Sequence, residues 1–422
     1  MNEACGVCHR RKARVHMESR IGHSAAVGIK VSLLLVFMVI AVFFVVQASM
    51  GARDSAASIS LSRPVGVDRA IGETIYHSLD DLLQDLASAR VYTLVPYWEL
   101  AVSGEVFVAE DGGFLYLTSN LGQVMAVDAA TGNILWSLHL GVWVSAPPAA
   151  HAGVVYVGAT DHVLYALDAG SGALLWYYTS QGEILAKPVV DEGMVFFTAD
   201  NDSVYDLLHR LYALDARSGA LLWIYDTESW TPASPAVGDD AVYSGGYRRE
   251  VYALDKYSGR ELWSFKASNI VFSSPRVVEG KVLFTCIDGW VHALDAANGA
   301  PLWSRKLPGF VWLSLPDVSG NLYACSHRNT LTALALDTGE ELWAFDDGYL
   351  LSCSGLPDAD AVCAFNSEGK AYVLDETEGT PLGLLQTPYD FTSPPLLVGN
   401  NMYASSSDGF IRAYTISPDA MP

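Results

Sequence analysis

The sequence predicts an all-β protein, an eight-bladed β-propeller of four-stranded blades, with an N-terminal transmembrane helix. The first observation is a pattern that recurs about every 40 residues along most of the 422-residue chain. The second is the composition, since 11 Trp, 21 Tyr, 36 Gly and 18 Pro suit many short strands joined by tight turns. The third is an apolar stretch near the N-terminus that is long enough for a membrane segment.

One 14-residue pattern marks each repeat, and six of its seven copies end on tryptophan. The copies read QVMAVDAATGNILW, VLYALDAGSGALLW, RLYALDARSGALLW, EVYALDKYSGRELW, WVHALDAANGAPLW, TLTALALDTGEELW and KAYVLDETEGTPLG. The tryptophans are Trp136, Trp176, Trp223, Trp263, Trp303 and Trp343, and the seventh copy has Gly383 instead. Successive copies are 40 residues apart, except for a step of 47 before Trp223, where SVYDLLHR enlarges a loop.

Each repeat supplies four short strands. In the fourth copy they read ASPAV, AVYSGG, EVYALD and RELWSF, from the inner strand to the outer one. The period-two alternation in VYALD gives each strand two packed faces, as sheets stacked between neighbours require. The Asp then begins a turn whose Gly can adopt positive φ, and the next strand delivers the Trp. Forty residues with four strands correspond to one propeller blade.

The two ends of the repeat region are predicted to share the eighth blade. After the seven motifs, FTSPPLL, NMYASSS and FIRAYTI provide three strands. RVYTLVPYW, residues 90–98, stands one repeat ahead of the first motif and can provide the fourth. Joining the termini in one blade removes the exposed edges of an open ring. The predicted propeller therefore covers residues 90–422.

The pattern A-x-D-x-x-x-G-x-x-x-W resembles the tryptophan-docking motif of pyrroloquinoline-quinone (PQQ) repeat propellers. The resemblance implies that each indole stacks on the turn of the neighbouring blade. It also implies one of two kinds of function, because the family includes quinoprotein dehydrogenases and non-catalytic propellers such as the outer-membrane β-barrel assembly lipoprotein. In the enzymes, PQQ and Ca²⁺ lie over the central channel, with Glu, Asn and Asp oxygens, an Asp base and often a vicinal Cys pair.

The residue types of such a catalytic site are absent from the matching positions. The equivalent inner-strand positions are Pro147, Lys187, Ser234, Ser274, Ser314, Ser354 and Pro394. None is a carboxylate, and the chain has no adjacent cysteines. The loop residues Asp161, Asp288 and Asp408 are an alternative source of calcium ligands, although Asp at such positions is ordinary turn chemistry. The sequence therefore disfavours PQQ with Ca²⁺ and predicts no cofactor, metal or catalytic residue.

The function predicted from these observations is a membrane-tethered, exported scaffold without catalysis that binds protein partners or a ligand. A role in cell-envelope protein assembly is the interpretation based on the family, although no lipobox Cys follows the apolar segment. A PQQ-dependent oxidoreductase and a ligand-sensing ectodomain are the alternatives. Only about 30 residues precede the apolar segment, which leaves little room for an effector domain.

A binding face is predicted where the loops leading into the inner strands meet the loops joining second and third strands. The first set supplies Trp143, Trp230, Phe272, Phe310, Trp312, Tyr349, Tyr389 and Phe391, and the second supplies Arg248, Arg249, His327, Arg328 and Lys370. Aromatic side chains beside arginines are typical of protein-recognition surfaces. The alternative is that several of these rings plug the channel or pack between blades. Lys187 would meet an anion in the channel or remain solvated there.

The N-terminal part is predicted to tether the propeller. Residues 1–30 form a short basic segment, 31–48 a transmembrane anchor or signal segment, and 49–89 a linker with a short amphipathic helix over 73–89. The basic residues place the N-terminus in the cytoplasm and the propeller outside it, in the periplasm or extracellular space. The net charge is −22 and residues 1–50 carry +4, so the remainder carries −26 and disfavours nucleic acid.

Six cysteines fall into two groups. Cys5-Gly-Val-Cys8-His9 matches a c-type haem attachment pattern, but it precedes the anchor, whereas haem is attached on the outer face. The other four lie in the exported part, and Cys353 and Cys363 are predicted on consecutive strands of one blade. Their strand register decides between a cross-strand disulfide and two buried thiols.

Overall fold

The computed structural model describes residues 92–418 except 201–208, 228–229, 232, 315–319, 327–329, 347–349 and 357–360. Within these residues the chain forms 32 strands and no helix. The predicted transmembrane segment, the predicted helix over 73–89 and the haem-type motif lie outside the described residues. No helix in the described part of the chain is long and apolar enough to cross a membrane.

The strands form eight antiparallel sheets of four, so the predicted all-β propeller of eight four-stranded blades is confirmed. Blade 1 contains β2 (Val106–Asp111), β3 (Phe114–Ser119), β4 (Gln123–Asp128) and β5 (Ile134–His139). Blade 2 contains β6 (Ala149–His151), β7 (Val154–Gly158), β8 (Val163–Asp168) and β9 (Leu174–Thr179). Blade 3 contains β10 (Val189–Asp191), β11 (Met194–Asp200), β12 (His209–Asp215) and β13 (Leu221–Asp226). Blade 4 contains β14 (Ala236–Val237), β15 (Ala241–Gly245), β16 (Glu250–Asp255) and β17 (Glu261–Lys266).

The second half of the ring repeats this plan. Blade 5 contains β18 (Arg276–Val278), β19 (Lys281–Thr285), β20 (Trp290–Asp295) and β21 (Pro301–Lys306). Blade 6 contains β22 (Val311–Ser314), β23 (Asn321–Ser326), β24 (Thr330–Ala335) and β25 (Glu341–Asp346). Blade 7 contains β26 (Leu350–Leu356), β27 (Ala361–Asn366), β28 (Lys370–Asp375) and β29 (Pro381–Gln386). Blade 8 contains β30 (Leu396–Val398), β31 (Asn401–Ser406), β32 (Phe410–Pro418) and, as its outer strand, β1 (Tyr92–Ala101).

Blade 8 closes the ring as predicted. β1 pairs antiparallel with β32 from Tyr92 opposite Pro418 to Ala101 opposite Phe410. On the inner side, the Ser393 hydroxyl donates a hydrogen bond of 3.1 Å to the Val106 carbonyl, which links blade 8 to blade 1. The outer strand is longer than the sequence indicated, because the pairing continues beyond residue 98.

The core lies between neighbouring blades. β11 is buried along its whole length, and consecutive side chains on it point to opposite sides. Phe196 packs with Trp223 and Val242 towards blade 4, whereas Phe197 packs with Tyr156 and other residues towards blade 2. The outer strands have only one neighbouring strand, so their side chains alternate between packed and exposed positions. The period-two pattern therefore builds a core from both faces of each sheet.

Tryptophans on the outer strands contact the turn between the third and fourth strands of the next blade. Each indole N–H donates a hydrogen bond of 2.8–3.1 Å to a backbone carbonyl of that turn. The pairs are Trp98–Ala129, Trp136–Ala169, Trp176–Ala216, Trp223–Lys256, Trp263–Ala296, Trp303–Leu336 and Trp343–Glu376. A Cβ on the turn glycine would lie within 2.7 Å of the indole at all seven contacts. Trp98 joins this set although it precedes the first of the seven motifs.

The closing blade gives a physical reason for Gly383 in the seventh motif. In blades 1–7 a turn joins the third and fourth strands, whereas in blade 8 these strands are β32 and β1, from opposite ends of the propeller. No turn of that kind connects them, so an indole at Gly383 would have no glycine turn to contact. β29, which carries Gly383, packs beside β1 instead.

Candidate functional site

Two sets of loops meet on one face of the propeller. We call the loops leading into inner strands the incoming loops, and those joining second and third strands the hairpin loops. A backbone N–H of a hairpin loop donates to a carbonyl of the incoming loop of the same blade at 2.9–3.1 Å. These bonds are Thr160 to Trp143, Tyr247 to Trp230, Ile287 to Ile270 and Ser407 to Asp390. The hydrogen bonds fix the relative position of the two loop sets.

Four aromatic side chains on this face form a continuous contact, which we call the aromatic row. The ring centroids of Trp230 and Tyr247 are 4.7 Å apart, those of Tyr247 and Phe272 are 6.5 Å apart, and those of Phe272 and Phe310 are 5.5 Å apart. All four rings are partly exposed. Three of them were predicted from the sequence. Tyr247 was missed, although it directly precedes the two predicted arginines.

The hairpin loop of blade 4 places positive charge next to the aromatic row. Arg248 and Arg249 follow Tyr247 and are exposed. The Arg249 N–H donates to the Gly246 carbonyl at 3.1 Å, and Arg249 has a φ of 66°. Burial raises the pKa of the Tyr247 hydroxyl to about 12, so this group stays protonated at neutral pH. The row therefore combines apolar rings, a phenol and guanidinium groups.

The structure separates other predicted residues from this row. Trp143 is 56% exposed on blade 2. The Arg412 guanidinium covers the Tyr389 ring at 4.0 Å. Phe391 is only 3% exposed and packs near Phe365, so its assignment to the binding face is wrong. Lys370 forms an ion pair of 3.0 Å with a neighbouring glutamate.

Some predicted face residues cannot be placed on this surface. The backbone of Trp312 belongs to β22, but its side chain is outside the described residues, as are Tyr349, His327 and Arg328. Their contribution to the face stays a prediction.

In the described part of the chain, two cationic residues lie on or next to the inner strands, whereas the sequence predicted one. Lys187, just before β10, is exposed to solvent, yet the surrounding protein lowers the pKa of its ammonium group. The nearby guanidinium of Arg276, the first residue of β18, contributes to the same shift. The sequence analysis missed Arg276 because it lies two residues beyond the repeat position that was compared.

The residues on the inner strands do not fit the Ca²⁺ and PQQ of a quinoprotein. Calcium needs several oxygen ligands that converge on one point. The described inner positions supply proline, lysine and serine, and Lys187 and Arg276 would repel a cation. The described residues also contain no group of three His, Cys, Asp or Glu side chains with metal-binding geometry.

The register of blade 7 contradicts a cross-strand disulfide. Cys353 pairs with Ala364, and Ser354 pairs with Cys363. Side chains alternate along a strand, so Cys353 and Cys363 lie on opposite faces of the sheet. They belong to different buried clusters, one towards blade 6 and one towards blade 8. The four described cysteines are buried and form no disulfide in the structure.

A second surface, which the sequence analysis did not identify, is an apolar rim on the outer strands of blades 1–3. Each of these strands begins with two exposed aliphatic side chains. The residues are Ile134, Leu135, Leu174, Leu175, Leu221 and Leu222, each 45–53% exposed. Blades 4 and 6 have Glu261 and Glu341 at the first of these positions. The rim and the aromatic row are thus separate surfaces with different chemistry.

Comparison with known proteins agrees with this architecture. The family model described as outer membrane protein assembly factor BamB matches residues 65–179, 145–223 and 208–415. No curated protein matches the chain. BamB from Moraxella catarrhalis has a TM-score of 0.65 and 20% identity, over 78% of this chain and 99% of that one.

Two further structures share the fold. Quinohemoprotein alcohol dehydrogenase ADHIIG from Pseudomonas putida HK5 has a TM-score of 0.63 and 14% identity, over 78% of this chain and 77% of that one. The computationally designed Ika8 protein has a TM-score of 0.63 and 18% identity, over 78% and 100%. At identities this low, the structural similarity shows a shared fold and nothing about function. The family model covers most of the sequence, and the chain therefore belongs to the PQQ-repeat propeller family described as outer membrane protein assembly factor BamB.

Proposed function

We propose that this chain is an exported, non-catalytic scaffold that binds a protein partner through the aromatic row and the adjacent arginines. The observation that carries the proposal is the contact of four partly exposed rings across blades 4–6, beside Arg248 and Arg249. Large aromatic and arginine side chains contribute most of the binding energy at many protein interfaces. The family description supports a role in outer-membrane protein assembly.

The chemistry of the row indicates what the partner presents. Phe272 and Trp230 offer apolar area, whereas the guanidinium groups favour carboxylates or carbonyl oxygens. The propeller is strongly acidic as a whole, so this positive spot would orient a partner that carries acidic side chains next to apolar ones. The backbone hydrogen bonds between incoming and hairpin loops hold the row in place before binding, which reduces the entropy lost on association.

The N-terminal sequence supports the proposed location. The apolar segment over 31–48 would tether the propeller on the outer side of a membrane, and basic residues precede it. The acidic propeller is a poor nucleic-acid ligand, so we propose protein partners and a membrane attachment rather than binding to DNA or RNA.

Photo-cross-linking in the native envelope tests the binding face. A photoreactive amino acid at Phe272 is expected to capture one discrete protein partner. The matched controls are the same amino acid at Leu175 on the rim and at Tyr257, an exposed residue on the opposite face. With the captured partner purified, Phe272→Ala should weaken binding about 10- to 100-fold, the range of an interface hot spot. Equal cross-linking from all three positions, or unchanged affinity, would contradict the proposal.

Calorimetry tests the oxidoreductase alternative. Titration of the full chain with PQQ in the presence of Ca²⁺ is expected to show no saturable heat at micromolar concentrations. The described repeat positions on the inner strands supply proline, lysine or serine, and the cations Lys187 and Arg276 lie nearby. The control is the same titration without Ca²⁺. Saturable, calcium-dependent binding would instead favour a quinoprotein and would require a search for substrates.

A further inference from the structure

Two cysteines of neighbouring blades face each other. Cys325 on β23 of blade 6 and Cys353 on β26 of blade 7 have their sulfur atoms 3.8 Å apart. Their relative exposures are 0% and 4%. Both belong to the buried apolar cluster between the two blades, with Val362 and Leu374 from blade 7. The pair is therefore part of an interface between blades, not of a single sheet.

The repeat explains why these two positions meet. The position of Cys325 on the second strand holds Thr118 in blade 1, and its hydroxyl donates a hydrogen bond of 2.9 Å to the Ala146 carbonyl of blade 2. Thr118 and Ala146 are 28 residues apart, the same separation as Cys325 and Cys353. Thr198 of blade 3 makes the corresponding bond to Ala233 of blade 4. Close approach at this point is thus a property of the blade packing itself.

We propose that Cys325 and Cys353 form a disulfide that links blades 6 and 7 when the protein folds in an oxidising compartment. A disulfide requires a sulfur–sulfur distance of about 2.05 Å, so the two atoms must approach by roughly 1.8 Å. Rotation of the two side chains about their Cα–Cβ bonds, with a small adjustment between blades, supplies such a movement. Cys363 cannot pair with either cysteine, because its side chain lies on the face of the blade 7 sheet opposite to that of Cys353.

The bond would form by exchange with the disulfide of an external oxidant. One thiolate attacks that disulfide and forms a mixed disulfide, and the second thiolate displaces the oxidant as a dithiol. The oxidant thereby accepts two electrons and two protons from the cysteine pair. In the folded protein, the contact with Cys353 and burial raise the pKa of the Cys325 thiol, so little thiolate is present. The reaction therefore belongs to folding, before blade 7 packs on blade 6.

The disulfide would stabilise the contact between blades 6 and 7, next to the interface between blades 7 and 8. Blades 6 and 7 also share the Trp343 contact, whereas Gly383 leaves the interface between blades 7 and 8 without an indole. A disulfide closing a chain segment of 28 residues restricts the unfolded chain and so favours the folded ring. The inference rests on the export that we propose, so its test must separate the two.

Peptide mapping of the full chain isolated from its native envelope is the first experiment. Thiols are alkylated with N-ethylmaleimide under denaturing conditions without reductant, and the chain is digested with trypsin and an Asp-specific protease. Trypsin separates Cys325 from Cys353 at Arg328, and cleavage at Asp358 or Asp360 separates Cys353 from Cys363. The expected result is one linked peptide pair containing Cys325 and Cys353, with Cys286 and Cys363 alkylated.

Refolding distinguishes the disulfide from the export. Reduced, denatured full-length protein is refolded with oxidised and reduced glutathione, and the Cys325–Cys353 link is expected to form. Folded reduced protein in the same buffer should form it much more slowly. A link on refolding that is absent from the native protein would count against export, whereas failure of the link to form on refolding would overturn the disulfide.

Thermal unfolding should depend on the redox state of the Cys325–Cys353 pair. The oxidised protein is expected to have a Tm about 5 °C above the reduced protein. Cys353→Ala should abolish this difference, and Cys363→Ala, at an equally buried site, should preserve it. A redox-dependent Tm that survives Cys353→Ala would overturn the assignment.

Discussion

Replacement of Trp223 by alanine is expected to lower the free energy of unfolding by about 3–5 kcal/mol. The indole is only 7% exposed, and it covers the Gly259 turn of the next blade. Its N–H donates a hydrogen bond of 3.0 Å to the Lys256 carbonyl. Truncation removes the apolar contact, leaves a cavity between two blades and deprives that carbonyl of its partner. Denaturant unfolding followed by far-UV circular dichroism measures the effect.

The matched control is Trp143→Ala. Trp143 is 56% exposed on an incoming loop, and its removal should change the free energy of unfolding by less than about 0.5 kcal/mol. Gly259→Ala should resemble the Trp223 variant in direction, because Gly259 has a φ of +69° and an added Cβ would lie 2.6 Å from the indole. If Trp223→Ala and Trp143→Ala had similar denaturation midpoints, the contact of Trp223 with the next blade would contribute little to stability.

Arg412→Ala is expected to lower the free energy of unfolding by about 2–4 kcal/mol. Arg412 lies on β32, is 6% exposed and forms ion pairs of 3.1 Å with Glu99 on β1 and 2.6 Å with Asp408. It also donates to the Ser406 hydroxyl and covers the Tyr389 ring. Its loss leaves two carboxylates without their cation at the strand pair that closes the ring. Thermal unfolding measures the effect.

The control for this variant is Arg305→Ala. Arg305 is paired with Glu341 at 3.0 Å, but both side chains are about 40% exposed, so its loss should cost less than about 1 kcal/mol. If Arg412→Ala lowered the free energy of unfolding no more than Arg305→Ala does, Arg412 would not stabilise the strand pair that closes the ring.

The pH dependence of the free energy of unfolding gives an independent measure of the Arg412–Asp408 ion pair. Hydrogen bonds from Arg412 lower the pKa of the Asp408 carboxyl. Asp408 therefore contributes stability above its unfolded pKa of about 3.9, and this contribution is lost as the pH falls through the lower folded value. The free energy of unfolding of the wild-type protein should therefore fall as the pH drops below about 3.9. Arg412→Ala should show a smaller fall over the same pH range. Identical pH profiles would contradict the assignment.

The candidate site could be predicted only in part. Trp230, Phe272 and Phe310 were identified because the 40-residue repeat assigns them to incoming loops, and loop position decides which face a residue occupies. Phe391 has the same kind of position, yet it is buried between blades 7 and 8. Whether a ring on such a loop faces solvent or the next blade depends on side-chain packing, which the repeat spacing does not contain.

Long-range contacts were hardest to foresee. Cys325 and Cys353 lie on different blades, and the sequence analysis considered only a pair within blade 7, Cys353 with Cys363, with two buried thiols as the alternative. Consecutive strands are the nearest neighbours that a linear pattern shows. The register then placed Cys353 and Cys363 on opposite faces. Arg276 escaped notice for a similar reason, since only the position of Lys187 was compared between repeats.

The sequence by itself determined the fold class, the number of blades and the way the ring closes. A repeat whose apolar alternation, turn glycine and tryptophan recur at fixed spacing permits few ways to bury its faces, so local pattern is sufficient. Only the tertiary structure decided which side chains meet across blades. The contact of Trp98 with the Gly132 turn, the pairing of Arg412 with Glu99 and the approach of Cys325 to Cys353 all depend on packing between sheets. Such contacts are set by interblade geometry, because residues distant in sequence carry no local signal of their proximity.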